Sequence, residues 1–420
     1  MSGHSILLLA GEASGDYHAA SLVRELKERS PGIRVSGIGG DKLAEAGMRL
    51  LHHYRDINTI ALSEGLGKVR NILAAYRTMK RELRSRRHDL FIPVDFPDVN
   101  LRLCSIARGA DVPVCYYISP QVWAWRRGRV SKIAARVDRM MTIFPFEETL
   151  YRKAGLQADF VGHTMARDIP AHVEKKLIRE ELGIESAVHV VTLVPGSRQA
   201  EIRRMLPLMC QAAEIYLKRY PDTRLVLPLA GAHLAELVRE ILNGYNIHVG
   251  VHLLEAARLM AASDSGLVTS GTATLQAALA GMPHAVIYKV DPFTWWFALR
   301  VLKPLVMEKD VHLAIANVLA IEKEKEGGPI KELADAGFSI PCNECGRPLL
   351  VPELLQGAAT PETLAEWLMR LRTEESLRQA MIRGFRQIRS MLEQPKDGRT
   401  AAGIVLDMLR NRAFAATRGE

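Results

Sequence analysis

The sequence predicts an α/β protein made of two doubly wound domains followed by a helical tail. Three observations lead there. First, the apolar runs "SILLLA", "RVSGIGG", "DLFIPVD", "PVCYYIS", "RMMTIF" and "ADFVGH" alternate with helix-like segments, the pattern of a parallel sheet with helical crossovers. Second, the rhythm breaks at "HTMARDIPAHVEKKLIREELG", which carries Pro170, and resumes near His189 with "HVVTLVP", "RLVLPLA", "IHVGVHLL", "SGLVTS" and "HAVIYKV". Third, the chain from Pro361 to Arg412 reads as helix throughout. The expected organisation is a first domain over 1–165, a second over 166–360 and a helical tail over 361–420 that packs on both. Two such sheets would face one another across a cleft lined by strand carboxyl ends, where open α/β sheets bind their ligands.

Composition narrows the classes. With 420 residues, 48% hydrophobic and 25% charged, the chain can bury a sizeable core. "ILLLA" is too short for a signal segment, and no run reaches the roughly eighteen apolar residues of a membrane span, so a cytoplasmic protein is expected. Five cysteines scattered through a long chain fit reduced thiols rather than a disulfide framework. The net charge of +9 favours an anionic partner, whether nucleotide, phospholipid surface or nucleic acid, unless it is only a solvated excess. A charge run and Cys342-x-x-Cys345 mark an insertion at about 321–345. Two cysteines are half of a tetrahedral zinc site, and no second pair stands near, so no metal is expected.

Four stretches carry chemistry. In "VHVVTLVPGSRQAEIRRMLPLM" a buried strand runs into Gly196, Ser197 and Arg198 and then into a helix. Glycine lets a backbone approach closely, first-turn N–H groups lack internal partners, and an arginine adds a fork of donors, which together suit a phosphate. "SGLVTSGTATLQAALAGMP" repeats that logic with Ser270, Gly271 and Thr272, and the duplication points to a nucleoside diphosphate. In "LLLAGEASGD" a strand enters a small-residue loop with Glu12 at its end, and Ser14 or Asp16 is expected to cap the next helix. In "IPVDFPDVN" Asp95 ends a strand where a carboxylate can take a proton from an attacking hydroxyl. Asp98 reads as a helix cap and is carried among the substrate-binding candidates, with Trp125 and Arg126 of "SPQVWAWRRGR".

Taken together, "AGEASGD", "VDFPDVN", "SPQVWAWR", "FPFE", "GHTMARD", "VPGSRQAEI", "SGTATLQAALAGMP", "YKVDPFTWW" and "IANVLA" resemble, in order and spacing, the lipid-A-disaccharide synthase family. The resemblance runs from Ile6 to about Leu355. It implies two Rossmann-like domains facing a cleft (GT-B) and an inverting glycosyltransferase without metal or other cofactor. The implied reaction transfers 2,3-diacylglucosamine from UDP to the 6-hydroxyl of 2,3-diacylglucosamine 1-phosphate, forming a β-1,6 disaccharide. It further implies Asp95 as base, Arg198 on the UDP phosphate, Asn317 as an essential asparagine and Glu12 in the signature loop. The implied location is the inner face of a Gram-negative inner membrane. The anionic surface is a partner, nucleic acid is not, and a homodimer is compatible with the reading.

Three departures stand out. Gln276 replaces the family's glutamate near the ribose, "SGDYHAA" replaces a glycine-bearing continuation, and roughly 25 residues follow "IANVLA". Two apolar faces ringed by cations, on Thr59–Leu83 (Leu66, Val69, Ile72, Leu73, Tyr76) and Pro292–Met307, are expected to dock on membrane unless both are simply buried. A UDP-N-acetylglucosamine epimerase, a peptidoglycan glycosyltransferase and a non-catalytic module holding UDP-sugar or lipid are the competing readings.

Overall fold

The computed structural model describes residues 3–56, 65–120, 122, 127–171, 174–290, 314–323, 328–342, 346–395 and 397–416. Two compact units form, one of Met1–Thr164 with Leu392–Glu420, the other of Met165–Met391.

The first unit is built on seven parallel strands: β1 (Ser5–Ala10), β2 (Arg34–Gly39), β3 (Arg49–His53), β4 (Leu90–Val94), β5 (Cys115–Tyr117), β6 (Arg139–Thr142) and β7 (Ala158–Phe160), in spatial order β3-β2-β1-β4-β5-β6-β7. The second has six: β8 (Val190–Val194), β9 (Arg224–Pro228), β10 (Val249–His252), β11 (Ser265–Thr269), β12 (His284–Tyr288) and β13 (Glu353–Leu355), in order β10-β9-β8-β11-β12-β13. Central strands such as β1, β4, β8 and β11 are buried along almost their whole length because helices cover both faces, which is why they read as unbroken apolar runs. The two-domain α/β expectation is met. Strands β3 and β13, absent from the sequence pattern, are sheet edges.

The tail is helical and divides between the units. Helix Pro361–Thr373 packs on Gln199–Arg219 in the second unit, and Ala401–Ala416 packs on Ala13–Arg29 in the first. Thr360 caps the former by accepting from the Thr363 N–H at 3.2 Å. Within the second unit, buried Arg389 donates to the carbonyls of Ala166, Ile169, Pro170 and Leu279, tying the start of the unit to the end of the helix that follows β11. Within the first, Arg399 donates to Asp159 at 2.9 Å and the His163 N–H to the Leu392 carbonyl at 2.8 Å.

Two local expectations are corrected. The helix after β1 begins at Ala13, so Ser14 and Asp16 lie inside its first turn and neither caps it. Asp16 instead accepts the N–H groups of Gly40 (2.6 Å), Lys42 (3.2 Å) and Leu43 (3.3 Å), capping the helix after β2. On helix Gly65–Arg84, Ile72 and Tyr76 pack against the first unit's core beside Ala75, Met79 and Leu83. Of that apolar set only Leu73, 46% exposed, is described as open to solvent, with Arg70, Arg77 and Arg84. The Leu66 and Val69 side chains and all of 292–307 lie outside the described residues. Among the described residues no helix is long and apolar enough to cross a membrane.

Candidate active site

In an open parallel sheet the connections on either side of one strand pair run in opposite directions, and the crevice beyond that pair's carboxyl ends is where ligands bind. The first sheet reverses between β1 and β4, where Ala10 pairs with Val94. The residues that follow are Gly11-Glu12 and Asp95-Phe96, so the fold sets two carboxylate residues at one switch point. The second sheet reverses between β8 and β11, where Val194 pairs with Val268. Its strands lead into Pro195-Gly196-Ser197-Arg198 and Ser270-Gly271-Thr272, so the two expected phosphate turns are neighbours.

Asp95 sits on a strained elbow. Asp95 (φ 44°) and Phe96 (φ 48°) both adopt the left-handed conformation, and Ile118 (φ 64°) does so just past β5. Three of the six non-glycine residues with positive φ among the described residues therefore lie at adjoining strand ends, and such strain persists only where surroundings enforce it. The Asp95 N–H still donates along the ladder to the Tyr117 carbonyl at 3.1 Å. Its carbonyl, turned out of the ladder, accepts from the Tyr116 hydroxyl at 2.6 Å and from Asn100 Nδ2 at 2.7 Å. Both donors are fully buried. The Phe96 ring lies on Gly11, where an added Cβ would come within 2.5 Å of its Cγ, so only glycine admits this packing.

The elbow changes the carboxyl group's chemistry. Burial first, then the neighbouring Glu12 charge, push Asp95 up from 3.8 to about 6, against the Phe96 N–H that favours the anion. Glu12 occupies the N-cap position of helix Ala13–Arg29 without a side-chain cap hydrogen bond. A carboxyl group with a raised pKa is a stronger base once ionised and is suited to accept a proton in a transition state. Asp98 is not the cap expected of it: Phe96 holds that position, Pro97 opens the helix, and exposed Asp98 meets Arg129 at 3.5 Å.

In the second unit, Gly196 has φ 111° and faces Glu201, whose Oε2 accepts from the Ser197 (3.1 Å) and Arg198 (3.3 Å) N–H groups at the start of helix Gln199–Arg219. Arg198 is 65% exposed, its Nη1 lying 3.6 Å from the Glu201 carboxylate. Gly271 has φ 140°, and Thr274 returns its hydroxyl to the Gly271 carbonyl at 2.8 Å, setting the turn before helix Thr272–Leu279. Gln276 is half-buried one turn into that helix.

Asn317, which the family resemblance implies as an essential asparagine, is placed here as a strut. It is fully buried on helix Ile315–Lys323. Its Oδ1 accepts from Leu350 (2.9 Å) and Val351 (3.0 Å), and its Nδ2 donates to the Val351 carbonyl (2.9 Å) and to Glu353 (2.7 Å), which uses every hydrogen bond an amide offers. Trp125, Arg126 and Cys345 lie outside the described residues. Sequence reasoning missed Tyr116 and Asn100. Asn100 stands inside the quoted "VDFPDVN", but its partner is a backbone carbonyl that spacing does not reveal.

Two doubly wound units, one ending in a carboxylate elbow and the other in paired glycine turns, define a protein of the GT-B glycosyltransferase architecture. Solved structures share that fold: a UDP-GlcNAc 2-epimerase from Neisseria meningitidis bound to UDP-GlcNAc (TM-score 0.58, 12% identity, 97% of this chain and 100% of that one), and the calicheamicin glycosyltransferase CalG4 (TM-score 0.57, 16% identity, 97% and 99%). The family model "Lipid-A-disaccharide synthetase" matches residues 6–323. The lipid-A-disaccharide synthase of Anaeromyxobacter dehalogenans is 38% identical over 407 residues, 96% of this chain and 97% of the relative. That of Myxococcus xanthus is 36% identical over 404 residues, again 96% and 97%. The chain belongs to the lipid-A-disaccharide synthase family and is a glycosyltransferase.

Because Asp95 is harder to ionise in the fold, its protonated form favours folding, an effect present below about pH 3.8 and lost as pH rises through about 6. Asp95→Asn is therefore expected to stabilise the protein at pH 8 by about 1–2 kcal/mol and to leave stability unchanged near pH 3. Chemical denaturation at both pH values checks this. Removing the like charge with Glu12→Gln should move the acid limb of the kcat–pH profile to lower pH, and an unmoved limb would show that Glu12 does not act on Asp95.

Proposed function

We propose that the protein transfers a 2,3-diacylglucosamine unit from its UDP derivative to the 6-hydroxyl of 2,3-diacylglucosamine 1-phosphate, with inversion and release of UDP. The observation that carries this reading is the pairing at the switch points: a high-pKa carboxylate ends β4 beside Glu12, while two phosphate turns follow the paired strands β8 and β11. Asp95 takes the proton from the acceptor hydroxyl as its oxygen attacks the anomeric carbon. The bond from that carbon to the diphosphate breaks, and the charge gathering on UDP is met by the Arg198 guanidinium and by the N–H groups that open helix Thr272–Leu279. Gln276, following the Ser270–Thr272 turn, offers an uncharged amide to the ribose, and Asn317 holds the loop 349–353 in place. The named relatives carry the lipid-linked part of this assignment.

Incubation with UDP-2,3-diacylglucosamine and the 1-phosphate acceptor should yield one disaccharide and UDP by mass spectrometry. Asp95→Asn should lower turnover about a hundredfold or more with UDP affinity near wild type. Arg198→Ala should weaken UDP binding by about 1.5–3 kcal/mol in titration calorimetry. Consumption of the donor without disaccharide would point to epimerase chemistry instead.

Such substrates carry their acyl chains in a bilayer, and this reading places the enzyme on the cytoplasmic face of an anionic membrane. The exposed Leu73 among Arg70, Arg77 and Arg84 supports it. Salt-sensitive flotation with anionic vesicles, reduced in Leu73→Ser, is expected, and equal flotation of both proteins would remove this surface from the account.

A further inference from the structure

We propose that Tyr116 and Asn100 are positioning residues that hold Asp95 in its base-competent orientation by gripping its backbone carbonyl. The proposal rests on the reading of Asp95 as the base.

The geometry sets the problem that these two side chains solve. At the end of β4 the backbone leaves the ladder through two consecutive left-handed residues, neither of them glycine. That turn ends the strand, and it removes the Asp95 carbonyl from the partner it would have had in a continuing strand. A buried carbonyl without a donor is costly, so a turn of this kind reverts unless something else supplies the hydrogen bonds. Tyr116, one residue before the β5 partner of Val94, supplies the first at 2.6 Å. Asn100, one turn into the helix Pro97–Gly109, supplies the second at 2.7 Å and gives its other amide proton to the Val94 carbonyl at 3.2 Å. One amide thus spans the last ladder residue and the first strained one, fixing the angle at which the chain turns.

Neither side chain reaches solvent, so neither is available to touch a substrate. Their effect on the reaction passes through Asp95 alone. With the grip loosened, the turn relaxes towards an unstrained conformation, the carboxylate gains water, and its pKa falls towards that of an ordinary aspartate. A base with a lower pKa ionises earlier but pulls less strongly on the hydroxyl proton, and it is also displaced from its line of attack.

The test compares Tyr116→Phe, Asn100→Ala and Asp95→Asn in the full-length enzyme, with turnover measured from pH 4.5 to 9 and folding followed by circular dichroism. Tyr116→Phe keeps the ring in the core and removes only the hydroxyl, so it reports on the grip even where Asn100→Ala folds poorly. The expected result is a fall in kcat of about tenfold, a donor KM within about twofold of wild type, and an acid limb displaced to lower pH by about half a unit or more. A folded Tyr116→Phe enzyme with wild-type kcat and limb, beside an inactive Asp95→Asn, overturns the grip and leaves the base standing. A fall in kcat with an unmoved limb overturns it too, since a general packing defect would do the same. Wild-type turnover in Asp95→Asn removes the base reading and this proposal with it.

Discussion

The constraint that shapes the first unit's strand ends is that the chain leaves β4 through two consecutive left-handed residues, the first of them Asp95. Two left-handed residues accomplish the turn, at a cost on the order of 1–3 kcal/mol each. Several features around them are compensations for that cost. Gly11 has no side chain, so the Phe96 ring can settle on the neighbouring loop. Asn100 and Tyr116 take the carbonyl that the ladder has lost. The same packing that enforces the turn strips water from Asp95 and places Glu12 nearby, so strain, burial and raised pKa have one origin.

The two edges of the second sheet make the same point by contrast. At the amino edge, Asp264 accepts from Lys175, from Arg179 and from the Val190 N–H, and Arg179 also donates to the carbonyls of Ala262, Ser186 and Val188. Those charges are paired and directed at the protein's own backbone, an arrangement that holds the sheet together. At the carboxyl ends of the strands, Glu201 holds the Ser197 and Arg198 N–H groups, the Arg198 side chain is largely exposed, and Gly196 and Gly271 adopt positive φ. The buried ion-pair network and the two glycine turns thus lie at opposite ends of the same strands.

How much of this was legible in the sequence follows from how local each feature is. The central strands were legible because burial on both faces writes an uninterrupted apolar run. β3, half-buried "RLLHH", and β13, three residues opening on buried Glu353, were not, because an edge strand need not be apolar. Asp95 and Arg198 could be singled out because each lies where such a run meets a turn. The start of the first helix was misjudged because Ser14 and Asp16 are both good caps by type, and only the fold shows Asp16 serving a different helix. Tyr116, Asn100 and Asn317 act through backbone groups, set beside them by strand register for Tyr116, by the local turn for Asn100 and by a loop 34 residues away for Asn317 and Val351. No residue type or spacing encodes such a contact.

Burial within the fold itself, with no substrate present, makes Asp95 hard to ionise. Carbon-13 NMR of aspartate-labelled protein, with the Asp95 Cγ resonance assigned by its disappearance in Asp95→Asn, reads this directly. The account predicts a titration midpoint near 6, well above the ordinary 3.8. A midpoint at the ordinary value, with Asp95 indistinguishable from the exposed aspartates, would contradict it.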